Sequence, residues 1–123
     1  MDLTEFFEKT IKIIGLPTIE QYEFQEIRPR IYCNDEVYLS VQASKTHYCV
    51  PRENKLNHYY LVEVGFPSIK PPDTWEQYFE GSDFETNATS SVYGYIPIEL
   101  VQEFIDDHGG IDEEKTFSAT AFS

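Results

Sequence analysis

The chain has 123 residues, with 22 Asp and Glu against 9 Lys and Arg, and a formal net charge of -13. That length supports one core in a single domain, residues 1–123, and 41% hydrophobic with 15% aromatic content argues against disorder. The acid excess argues against direct nucleic-acid binding, and no apolar run approaches the roughly 20 residues of a membrane span.

The first residues, MDLTEFFEKT, are acidic and amphipathic and lack a signal-peptide layout. They lead us to expect a cytoplasmic protein with Cys33 and Cys49 as thiols. Leu3, Phe7, Ile11 and Ile14 recur at helical spacing, with Phe6 and Ile13 widening the stripe, so residues 2–14 are expected to form a helix. Asp2 or Thr4 can cap its start, Gly15 can end it, and Pro17 prevents its continuation. Residues 16–25 fit either a short strand or an irregular crossing.

Residues 27–43 carry the clearest pattern. Ile27, Pro29, Ile31 and Cys33 alternate with Arg28, Arg30 and Tyr32; Val37, Leu39, Val41 and Ala43 alternate with Tyr38, Ser40 and Gln42. This period of two predicts a hairpin. A three-residue loop, Asn34 to Glu36, pairs Cys33 with Val37 and Ile31 with Leu39, so apolar meets apolar; a two-residue loop does not. Pro29 cannot donate to a ladder, which places the first strand at an edge or a bulge. On the other face the register sets Tyr32 against Tyr38, Arg30 against Ser40 and Arg28 against Gln42. Such a face suits a planar or anionic group, because a guanidinium offers a fork of donors. A solvated face with its arginines paired to glutamates is the plainer reading.

Residues 44–57 form a long polar connection carrying Lys45, His47, Tyr48 and Arg52. If it folds over the hairpin face, these residues join Arg28 and Arg30 in a positive pocket. Residues 58–66 predict a central strand, apolar on nearly both sides. Residues 74–80 predict a short helix, with Thr74 and Gln77 as a capping box, and residues 82–91 a loop. Residues 92–96 predict a strand in which Gly94 marks a bulge or a close approach. A helix follows from Pro97 to His108, ended by Gly109 and Gly110. The tail has weak alternation at Phe117, Ala119 and Ala121, compatible with an edge strand or a swapped arm in a homo-oligomer. The whole is an α+β fold: an antiparallel sheet of about four strands with an N-terminal and a C-terminal helix packed on it.

Residues 71–114 hold twelve Asp and Glu and no Lys or Arg, whereas residues 1–70 hold ten and eight. The acidic part can supply solubility or meet a basic partner. Cys33, His47, Cys49 and His58 have the wrong spacing for a zinc finger or ribbon, so no metal is expected. His47 beside Cys49 does not make the usual nucleophile–base arrangement, and no catalytic or cofactor motif is present. A binding or inhibitor protein without a cofactor is therefore expected, with a hydrolase using His47 as the lesser alternative. Tyr32, Tyr38, Tyr48, Tyr93 and Tyr95 are the rings placed to meet a ligand.

LSVQASKTHYCVPR at residues 39–52, with VEVGFP at 62–67 and YGYIP at 93–97, resembles small uncharacterised proteins encoded by phages and prophages. The likeness extends over most of the chain. It implies a host bacterial cytoplasm and an anti-defence role. Two expectations follow. One is capture of a small anionic, nucleotide-like ligand without turnover, through Arg28, Arg30, Tyr32, Ser40, Gln42, Lys45, His47, Tyr48 and Arg52. The other is an acidic inhibitor, an anti-CRISPR or nucleic-acid mimic, bound to a host defence protein.

Overall fold

A computed structural model describes residues 1–11 and 27–118. The expected end of the first helix and the ambiguous stretch 16–25 lie outside them. Helix α1 (Leu3–Ile11) begins with a reciprocal cap. Asp2 Oδ1 accepts the Glu5 amide at 2.8 Å, and Glu5 reaches back to the Asp2 amide. Two of the donors orphaned at a helix start are thus satisfied. The Leu3 amide is met by Gln102 Oε1 at 2.7 Å, which fixes α1 to a distant helix.

Strands β1 (Ile31–Tyr32), β2 (Tyr38–Gln42), β3 (Leu61–Gly65) and β4 (Val92–Pro97) form one antiparallel sheet in the order β1-β2-β3-β4. β3 is central, as its two-sided apolarity predicts. The hairpin register is also the expected one: Ile31 pairs with Leu39 and Tyr32 with Tyr38, and the Cys33 amide donates to Val37 O at 2.7 Å. The loop places Glu36 at φ +78°, the left-handed third position that such three-residue loops require.

β1 is shorter than its pattern. Ile27 is 60% exposed and Arg28 only 1%, the reverse of the expected alternation. The ladder ends because Gln42 turns its side chain back. Its Oε1 accepts the Arg28 amide at 2.7 Å and its Nε2 donates to Arg28 O at 2.9 Å, standing in for a strand neighbour. β3 is shorter too, with Tyr60 and Phe66 exposed at its ends and Tyr59 buried.

The segment from Asp73 to Tyr78 is a 3-10 helix rather than an α-helix, and Thr74 does not cap it. Its Trp75 is buried against Tyr93 and Phe104, at 5.4 and 5.2 Å between rings. The stretch expected as a loop contains a helical turn, α2 (Phe84–Asn87), whose Phe84 anchors in the core. Helix α3 (Ile98–Asp107) runs as predicted, and Gly109 and Gly110 close it at φ +90° and +83°. A Cβ on Gly109 would meet Asn34 Cβ at 3.2 Å, so this glycine also admits the hairpin loop. The first part of the tail forms a short helix, α4 (Glu113–Thr116), capped by Asp112; the alternation expected through Ala119 and Ala121 lies outside the described residues. Residues 119–123 lie outside the described part.

One face of the sheet carries Ile31, Leu39, Val41, Val62, Val64, Tyr93 and Ile96 into the core. α1 covers it with Leu3, Phe6 and Phe7, and α3 with Val101, Phe104 and Ile105. Both sheet edges are occupied. Asp112 and Thr116 bond to Tyr32, and the Glu80 amide donates to Val92 O of β4. Open strand edges invite pairing with other chains, and this arrangement closes them. No helix among the described residues is long and apolar enough to cross a membrane.

Candidate functional site

The remaining face of the sheet carries polar and aromatic side chains. Tyr32 and Tyr38, cross-strand partners, hold their rings 5.7 Å apart. The guanidinium of Arg30 lies 4.4 Å from the centre of the Tyr38 ring, and Lys115 Nζ lies 4.8 Å from that of Tyr32. The result is a row: Arg30, Tyr38, Tyr32, Lys115. A cation over a ring is worth about 0.5–1 kcal/mol at an exposed site, and the cation stays available to an anion.

A second group sits over β4. Tyr48 O accepts the Tyr95 amide at 3.0 Å, and Glu63 Oε2 accepts the Tyr48 amide at 3.0 Å. The amide and the carbonyl of Tyr48 are therefore both engaged. The Tyr48 and Tyr95 rings stack at 5.6 Å and 16°, and the Arg52 guanidinium lies 5.6 Å from the Tyr48 ring. Between Val62 and Val64 the β3–β4 register shifts, so Gly94 and Tyr95 together oppose Glu63. Gly94 does mark a bulge, and the close approach is by the chain itself. A Cβ there would meet Tyr48 at 3.2 Å and Glu80 Oε2 at 2.8 Å. Tyr95 sits at φ +52°, a conformation costing a bulky residue about 1–2 kcal/mol.

These groups occupy opposite corners of the face. From Tyr38 to Tyr95 is two strands across and four residues along, roughly 16 Å at ordinary sheet spacings. The sheet thus carries two separate cation–tyrosine groups in place of the single pocket that the sequence suggested.

Arg28 belongs to neither. Its Nε donates to Thr10 Oγ1 at 2.9 Å, its Nη1 to Ala43 O at 2.6 Å, and its guanidinium stacks 4.7 Å from the Phe7 ring. It joins α1 to the end of β2 from inside. Gln42 is buried against the Arg28 backbone and Ser40 Oγ. Ser40 is half-buried on the outer face. His47 is buried, with Nδ1 2.6 Å from Ser44 Oγ, inside the loop it organises. Lys45 is exposed at the start of that loop, where its amide bonds to Asn54. Of the residues expected to contact a ligand, Arg30, Tyr32, Ser40, Lys45, Tyr48 and Arg52 keep surface access. Tyr93 does not: it is buried, donates to Ala88 O at 2.6 Å, and burial pushes its hydroxyl up to about 12.

Lys115 was missed from sequence. It reaches Tyr32 only because α4 packs on the β1 edge, a contact between residues 83 positions apart. Its one local signal was Asp112 three residues earlier, a helix-cap pattern. Burial raises both thiols, Cys33 to about 11, so neither is poised as a thiolate nucleophile. Among the described residues, no group of three or more His, Cys, Asp or Glu could hold a metal ion.

The acidic side lies elsewhere. A groove of about 410 Å³ runs between the start of α1 and α3, lined by Asp2, Glu99, Glu103, Asp106 and Asp107 around Leu3 and Ile98. No protein-family model matches the chain, and no curated protein or solved structure matches it significantly.

Proposed function

We propose that this protein is a non-enzymatic binding protein that captures a small anionic ligand bearing planar rings, a nucleotide or a short nucleotide signal, on the outer face of its sheet. In the phage setting that its sequence resembles, this is the work of an anti-defence sponge in the host cytoplasm. One observation carries the reading. Arg30, Arg52 and Lys115 each lie over a tyrosine, and none forms an ion pair among the described residues, although acids outnumber bases by 22 to 9. Cations left without carboxylates in such a chain keep their charge for an external anion. Two anchors roughly 16 Å apart on a sheet suit a ligand longer than a mononucleotide.

The test is a nuclear magnetic resonance titration with a panel of mono- and dinucleotides. Shifts should cluster at Arg30, Tyr38, Tyr48 and Arg52, and Arg30→Gln with Arg52→Gln should remove them. A panel that leaves these residues unmoved contradicts the proposal.

The acidic groove favours a second reading, an inhibitor of a basic host defence protein. Eleven of the twelve acids between residues 71 and 114 are exposed. Asp106→Lys with Asp107→Lys should then abolish capture of the partner, and raised salt should weaken it. Capture unaffected by both changes would exclude this face.

A further inference from the structure

The Tyr48–Tyr95 corner shows more organisation than packing requires. Tyr95 is bulged out of β4 in a left-handed conformation that any ordinary strand position would avoid. The ring it places is only partly covered: Tyr95 is 39% exposed and Tyr48 43%. Such backbone persists only where the surrounding structure fixes it, and it concentrates at binding sites. Gly94 beneath them has no side chain, and this lets Tyr48 lie down on the strand. Hydrogen bonds to Glu63 and from Tyr95 then hold the Tyr48 backbone in place. The ring pair is therefore preorganised, with its two rings nearly parallel.

We infer that Tyr95, backed by Tyr48, is the stacking platform for the base of a nucleotide, and that Arg52 takes the phosphate. This rests on the reading of the outer face given above and assigns its parts. A flat aromatic ring of any base can stack on a tyrosine, which makes the contact tolerant of base identity. The polarity follows from charge. Glu63 and Glu80 border the strand side of the platform and repel phosphate there. Arg52, over Tyr48 and without an ion pair among the described residues, is the cation at this corner. Its guanidinium supplies paired donors to phosphate oxygens.

The experiment uses the intact chain, adenosine 5′-monophosphate and adenosine, with the tyrosine ring resonances as the readout. The nucleotide should shift Tyr48 and Tyr95. Tyr95→Gly should weaken it by about tenfold or more, the size of one base–aromatic stack. Glycine accepts the left-handed backbone, so this variant should stay folded, and a thermal melt beside the titration checks it. Arg52→Gln should weaken the nucleotide and leave adenosine unchanged. Undiminished binding by the folded Tyr95→Gly variant would overturn the assignment. Shifts confined to Tyr32 and Tyr38 would remove this platform and keep the wider reading of the face. Shifts at none of the four rings, with a dinucleotide as well as with the mononucleotide, would remove both.

Discussion

Arg28 and Arg30 stand two positions apart, and alternation assigns them one face, yet their chemistry diverges completely. Arg30 lies exposed over Tyr38, whereas Arg28 is sealed between α1 and β2. A buried arginine reads like a surface one in a sequence. The usable signal was Thr10, a polar residue on the apolar stripe of α1, three positions after Phe7; it is the partner that Arg28 Nε finds. Arg28→Ala should therefore cost about 2–4 kcal/mol by leaving a void and the Ala43 carbonyl unmet. It should not alter ligand retention per folded molecule, and urea melts beside a binding assay separate the two. Glu36 gives the opposite sign. Its left-handed backbone suits glycine, so Glu36→Gly should stabilise by roughly 0.5–1 kcal/mol in the same melts, after glycine's own entropy is set against the relieved strain.

Among the elements, the hairpin was legible because two period-two runs flank a polar turn and only one loop length pairs apolar with apolar. α3 was legible because proline and a glycine pair bound its stripe. The failures share a cause: long-range contacts override local pattern. Gln42 replaces a strand neighbour at Arg28, α4 forms where the tail meets Tyr32, and Trp75 draws its segment into a 3-10 turn. The platform residues were named, but the bulge that joins them depends on strand pairing. The hairpin loop is itself latched to α3. Asn34 donates to Gly109 O at 2.6 Å, and Asp35 Oδ2 lies 2.6 Å from His108 Nδ1. That contact holds the Asp35 carboxyl below its usual range. A depressed carboxyl contributes stability above the unfolded value near about pH 4 and loses it as pH falls through the folded one. Asp35→Asn should thus lower the urea midpoint at neutral pH, and the gap from the parent should close in strong acid. A gap that stays constant across that range would show that the latch does not act through charge.

At the level of the whole molecule, charge is segregated. The groove of α1 and α3 is acidic, while the outer sheet face holds cations on tyrosine rings. The sequence displayed the imbalance between residues 1–70 and 71–114, but not that Glu99, Glu103, Asp106 and Asp107 gather with Asp2 in one groove while Arg30, Arg52 and Lys115 lie on tyrosine rings, since that needs the packed fold. Segregation of this kind admits an anion at one face of a chain whose net charge would otherwise repel it. The most direct measurement is the native mass of the tagged protein recovered from bacterial lysate, beside an Arg30→Gln, Arg52→Gln double variant. The account predicts an added mass in the range of nucleotides on the parent chain, lost from the variant while its fold persists. A parent chain that carries no small ligand but retains a stoichiometric basic protein, equally on parent and variant, would contradict it.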